Sequence, residues 1–273
     1  MKQLIIIEFK NCIRSKKFQM TFSVMYLLSL ISFFINCERY YGYHLSSVRS
    51  AHQVDIIRSL ASRTIIDLLI IALPLVAFMI NSDSFFRDYN TGVYKNIITR
   101  VNKKSYLLAK VLVTFILTFI TFFLTLTLNE LLTLIAFPLK GYDNNSAYPS
   151  YDIGYSNYTS TDFLDLTRLN SPYLYNIAHI VIISLIAALF AVLILSLSFL
   201  MKAKILQIVL GVFGFYTLSD IIFFVLKVEK FSVKNYLYDS KTGTPNCLFG
   251  WILILALLPI ILYIIAKKDE IDI

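Results

Sequence analysis

The chain has 273 residues, of which 58% are hydrophobic and 15% charged, with a mean hydropathy of +0.70 and a formal net charge of +8. Soluble domains average roughly 45–50% apolar residues. Here the excess is gathered in blocks, which excludes a soluble fold with a large core and points to an all-α integral membrane protein. A basic chain also invites a nucleic-acid reading, but the bias of Lys and Arg toward the inner face of a membrane accounts for the same charges, so no nucleic-acid partner is expected.

In chain order, residues 1–17 come first. Ile5, Phe9, Cys12 and Ile13 form an apolar stripe, with Lys10, Asn11, Arg14 and Lys17 facing elsewhere. This is the pattern of a helix lying in the inner leaflet; a plain basic flank of a first span is the compatible, simpler reading. Residues 18–36 form the first expected span. Phe34-Ile35-Asn36 are not the small residues that a cleaved signal requires, so the span is expected to stay.

Residues 38–63 read as a polar loop with a short helix leading into a second span at 64–80, which Pro74 should kink. Further spans are expected at 106–137, 177–201, 205–226 and 248–266. Between the third and fourth lies a long outer loop, 139–172, rich in Tyr, Asn, Asp and Ser. Six spans place both termini on one side, the side whose short loops are most densely basic, which is therefore cytoplasmic.

The stretch 82–110 joins the second and third spans and carries Arg87, Lys95, Arg100, Lys103, Lys104 and Lys110. Asn90-Thr91-Gly92 is a turn signal, with Gly92 suited to positive φ. After it Val93, Ile97 and Ile98 recur at helical spacing. The order Phe85-Phe86, Asp88, Asn90-Thr91-Gly92, Tyr94-Lys95-Asn96-Ile97-Ile98, Lys104-Ser105-Tyr106 and Lys110 resembles the first cytoplasmic loop of ABC type-2 permeases, the membrane subunits of ATP-driven exporters. The opening Glu8-Phe9-Lys10-Asn11-Cys12-Ile13-Arg14 is similar to the elbow helix of the same family. One departure stands: many members carry Glu shortly before the Gly, where this chain has Arg87-Asp88.

The resemblance covers nearly the whole chain as a single transmembrane domain, 1–273. It implies an elbow helix at 1–17, six spans, and a coupling loop at 82–105 that docks into an ATPase through Asn90, Gly92, Val93, Tyr94, Ile97, Ile98 and Arg100. It also implies two ATPase copies, a second permease subunit, identical or related, a lipid environment, and a multi-pass location in a cell membrane of bacterial plasma-membrane type. ATP and Mg would be bound by the partner, and no cofactor by this chain.

The chain holds no G-x-x-x-x-G-K-[ST], no H-E-x-x-H and no G-x-S-x-G, so no phosphate cradle or catalytic set is expected of it, and no enzyme activity. Ionisable residues at membrane depth are the best functional pointers. Asp67, Glu130 and Asp220 all fall toward the outer ends of their spans. One reading makes them an acidic rim on an exit path for cationic amphipathic cargo. The other makes them locally paired, Asp67 with Arg63 and Asp220 with Lys227.

His44, His52 and His179 are isolated, and His179 suits an interface better than a ligand role. Cys37 and Cys247 fall just outside the membrane, where a disulfide or two free thiols would each fit. Asn144 and Asn157 match the glycosylation pattern. Tyr40, Tyr41, Tyr43, Tyr173 and Tyr175 suit an interfacial aromatic belt.

The function expected is that of an exporter permease moving a hydrophobic or amphipathic cargo, such as an antimicrobial peptide or drug, outward. The alternative is a membrane-anchored sensor or immunity protein that binds a peptide at its outer face without moving it.

Overall fold

The computed structural model describes residues 2–141, 163–200, 204–239 and 243–268. Among them all regular structure is helical. In chain order the helices are α1 (Lys2–Arg14), α2 (Lys16–Tyr40), α3 (Ala51–Val54), α4 (Arg63–Ile71), α5 (Leu73–Asn81), α6 (Ser84–Asn90), α7 (Val93–Ile98), α8 (Lys103–Ala136), α9 (Asp165–Asn170), α10 (Pro172–Ser198), α11 (Ile205–Val225) and α12 (Pro245–Lys268). Of these, α2, α8, α10, α11 and α12 are long and apolar enough to cross a membrane. They overlie five of the expected spans, and the chain has the build of a multi-pass membrane protein. Two ends are distinguishable. At the basal end the start of α8 and the ends of α10 and α12 pack on α6 and α7. At the apical end the ends of α2 and α8 meet the start of α10.

Helix α10 sits in the middle. It is apolar all round, as a helix covered on every side should be, and every residue from Ile186 to Ser196 is buried. Helices α2 and α8 meet along a seam of small and polar side chains: Thr21, Ser29, Ser32 and Asn36 on α2 against Thr114, Thr118, Thr121, Thr125 and Asn129 on α8, all buried. Small residues let the backbones approach closely. The Ser29 hydroxyl donates to the Thr125 carbonyl at 2.6 Å, and Asn129 Nδ2 donates to the Ser29 carbonyl at 2.8 Å. Ser15 separates α1 from α2, its hydroxyl accepting from the Phe18 N–H at 3.2 Å.

The expected second span is broken. Helices α4 and α5 are bent by 65° at Ala72. Proline at residue 74 supplies no N–H for the Ile70 carbonyl and crowds it. The Tyr216 hydroxyl of α11 donates to that carbonyl instead, at 2.8 Å, so the break is hydrogen-bonded from a neighbouring helix.

The expected polar loop before it is also different in kind. Residues Val48, Ser50, Ala51, Val54, Asp55, Ile56, Ile57, Ser59 and Ser62 are buried, tucked against α2, α8 and α10. Their backbone is mostly not helical, so its polar groups need partners from elsewhere. Asn129 Oδ1 accepts from the Ile56 N–H at 2.8 Å, Asn176 Nδ2 donates to the His52 carbonyl at 3.0 Å, and the Pro138 carbonyl accepts from the Ala51 N–H at 2.9 Å. The Ser59 hydroxyl donates to Asn36 Oδ1 at 2.5 Å.

Candidate functional site

At the basal end the 82–102 loop is a helical hairpin fastened to the bundle. Gly92 turns the chain between α6 and α7 with φ +73 and open space around its Cα, so the backbone conformation, not crowding, is what calls for glycine. Phe85 is buried and packs edge-on against Phe199 at 4.9 Å and Tyr94 at 5.5 Å; Tyr94 lies against Tyr106 at 5.7 Å. The Ser82 hydroxyl donates to the Ala191 carbonyl of α10 at 2.8 Å.

The hairpin is also held by charge. Lys110, 1% exposed, lies on α8 with its ammonium 2.7 Å from Asp88 of α6 and 3.1 Å from Glu8 of α1. The Tyr106 hydroxyl donates to the same Asp88 oxygen at 2.8 Å. Lys17 of α2 pairs with Asp83 just before α6. A buried cation with two carboxylates is compensated in place, and here the compensation ties α1, α6 and α8 to one point. Cys12 of α1 is buried beside this cluster, and burial pushes its thiol up to about 12, so it is unreactive as a nucleophile.

Of the expected coupling residues, Asn90, Gly92, Val93 and Arg100 are exposed, and Ile97 and Ile98 are half-buried on the basal cluster. Tyr94 is 3% exposed and turned into the chain itself. Tyr89, which the sequence reading passed over, is exposed on the same hairpin.

The three expected path acids are not gathered into one rim: Asp67 and Asp220 lie on either side of Tyr238, and Glu130 is apart from both. Asp67 pairs with Arg63 at 3.0 Å, both partly exposed. Asp220 pairs with Lys234, not Lys227, at 3.2 Å, and accepts from the Ser232 hydroxyl at 2.5 Å. These two pairs flank Tyr238, whose ring lies under the Arg63 guanidinium at 5.2 Å; burial first, then the Asp67 charge, raises its hydroxyl pKa. Glu130 is elsewhere, 4% exposed, with Asn176 Nδ2 at 3.4 Å from its Oε2.

A second apical ion cluster was not foreseen. Asp239 accepts from the Tyr175 hydroxyl at 2.6 Å and pairs with Arg168 at 3.1 Å and Arg58 at 3.6 Å. Burial acts to raise the Asp239 carboxyl, but the two guanidiniums outweigh it and hold it below the usual range. His179 is buried within the bundle against Tyr175, ring centroids 4.6 Å apart. No local pattern links residues 58, 168 and 239; only the fold does.

Cys37 and Cys247 are free thiols. Asn144 and Asn157 lie outside the described residues. Among the described residues no three His, Cys, Asp or Glu side chains gather as a metal would need. No family model, no curated protein and no solved structure matches the chain.

Proposed function

We propose that the chain is the permease subunit of an ABC type-2 exporter, with α1 as its elbow helix and the bent α4–α5 pair as the second of six spans. One observation carries the reading: the α6–α7 hairpin is anchored inward through Phe85, Tyr94 and the Asp88–Lys110–Glu8 clamp while Tyr89, Val93 and Arg100 face out. A loop so fastened moves as one body with α1 and α8, which is what transmission of force from a soluble partner requires. Exposed apolar residues on a basic loop also mark a contact surface. Two ATPase copies beneath two permeases would bind ATP and Mg and drive a hydrophobic or amphipathic cargo, a peptide or drug, outward. The basal end would then be cytoplasmic, with both termini there.

The broad apolar faces of α2, α11 and α12, exposed at Val24, Leu27, Phe215, Leu218, Leu257 and Ile261, would be covered by lipid or by the second permease. The test is purification of the tagged chain from its own membranes with assay of the bound subunits. An ATPase should co-purify, and Val93→Glu should lose it at unchanged permease level. A chain that only binds a peptide at its apical face would carry no ATPase.

A further inference from the structure

The tucked 48–62 segment places a second carboxyl beside Glu130. Asp55 is 0% exposed and follows α3; the next residue, Ile56, is bonded to Asn129, the neighbour of Glu130 on α8, and Asn176 bridges His52 and Glu130, so the fold sets the two buried carboxyls side by side. The donors available to the two acids are few. The Arg58 N–H donates to Asp55 Oδ1 at 2.9 Å, and Asn176 Nδ2, closer to the His52 carbonyl at 3.0 Å, reaches Glu130 Oε2 at 3.4 Å. No N–H or hydroxyl among the described residues reaches Asp55 Oδ2, which is fully buried. An ionised carboxylate only accepts, so two carboxyl groups bond to each other only when one of them carries a proton.

The surrounding charges point the same way. The cation facing the pair is Arg58, on the segment itself. Its Nε is directed to Asp239 at 3.6 Å, and Nη1 makes no hydrogen bond among the described residues. Helix α10 presents the neutral Asn176, α8 presents Glu130 itself, and His52 of α3 is hydrogen-bonded to Ser50 at 2.9 Å. One guanidinium already engaged by a third carboxylate does not offset two buried negative charges. Burial, and then the Glu130 charge, raises the Asp55 carboxyl well above its usual range.

We propose that Asp55 and Glu130 form a one-proton binding site, a carboxyl–carboxylate pair whose proton pins the 48–62 segment to α8 and α10. When the proton leaves to bulk water, the pair becomes two adjacent carboxylates and the pin becomes a repulsion. The inference concerns the apical end and stands whether or not the chain is a permease.

Infrared spectra of the purified chain in lipid nanodiscs test it directly. At pH 7 the carbonyl stretch of a protonated carboxylic acid should be present, shift in heavy water, and disappear in both Asp55→Asn and Glu130→Gln. Thermal unfolding gives the second readout. A carboxyl raised in the folded state contributes stability that is full below its unfolded value, about 4, and is lost as pH rises toward the folded value. The folded-to-unfolded ratio then falls by up to about tenfold per pH unit. Wild type should show this decline. Asp55→Asn, whose amide can donate to Glu130 without a proton, should not. Absence of the protonated-acid band from wild type at pH 7 overturns the proposal, as does a band unchanged in both variants or the same pH slope in Asp55→Asn. If neither variant folds, the wild-type chain decides. A single cysteine at the buried Gln53 should become reactive to maleimide in the pH range where the band vanishes, and a Gln53 cysteine that stays protected through that range overturns the pin.

Discussion

The two ends of the bundle bury charge in opposite ways. At the basal end Lys110 lies between two carboxylates, and opposite charges meet on three different helices. At the apical end Asp55 and Glu130 bring like groups together, with one guanidinium shared among three acids. The apical carboxyls are the more deeply buried, Asp55 and Glu130 being 0% and 4% exposed, and they also have fewer opposite charges beside them. The basal ammonium has a carboxylate on either side, while the apical pair, deeper and with one shared guanidinium, is held together by a proton.

The strongest way to break the contrast is to remove the cation. Lys110→Met leaves Glu8 and Asp88 with no ammonium between them, and loss of one partner of a buried pair costs about 3–5 kcal/mol. A large fall in melting temperature is expected. Adding Glu8→Gln and Asp88→Asn should recover most of it, because a neutral cluster has no charge left uncompensated.

Next in size is Tyr216→Phe. It takes away the donor that serves the Ile70 carbonyl opposite Pro74, and a buried acceptor left alone costs about 1–3 kcal/mol. Thermal unfolding in detergent measures it, and Tyr216→Phe should lose more than Tyr263→Phe, whose hydroxyl makes a 3.3 Å bond at an exposed position.

Gly92→Ala should cost about 1 kcal/mol, since φ +73 is strained for any residue with a Cβ. Gly92→Asn should cost less, as Asn visits that region more readily.

Acid titration sharpens the comparison further. Asp239 is held below its usual pKa, so its stability is present above the unfolded value and lost as pH falls below about 4 toward the folded one. Asp239→Asn should flatten the acid side of the stability profile, where Asp55→Asn flattens the side toward higher pH. The smallest effect belongs to the exposed Arg63–Asp67 pair: Arg63→Ala should change stability by about 0.5 kcal/mol or less.

Much of this architecture is legible in the chain. Long apolar runs bounded by Lys, Arg, Pro and Gly give the five long helices, and Asn90-Thr91-Gly92 marks the turn between α6 and α7. What escapes is whatever depends on partners far along the chain. Residues 48–62 look like an exposed polar loop because Ser, His, Gln and Asp fill them. They are buried because Asn36, Asn129 and Asn176, three amides inside apolar runs, bond them from α2, α8 and α10. Those amides were the available signal, since an amide in an apolar helix needs a partner.

Tyr94 shows a second limit. Helical spacing sets Ile97 beside both Val93 and Tyr94, so spacing alone does not say that Tyr94 turns into the bundle while Val93 stays exposed. Asp220 shows a third: Lys227 is nearer in sequence, yet the chain turns back at Lys227, φ 57, and delivers Lys234.

The outward face of the α6–α7 hairpin carries the functional account, and it is open to one direct measurement. A photo-crosslinking amino acid placed at Val93, 43% exposed, in cells that express the chain normally, should capture an ATP-binding protein that carries the phosphate-cradling loop this chain lacks. The same probe at His44, at the apical end, should not. Capture of an ATPase from Val93 alone is the predicted result. If Val93 crosslinks only to lipid or to this chain, the hairpin is not a coupling element and the permease reading fails.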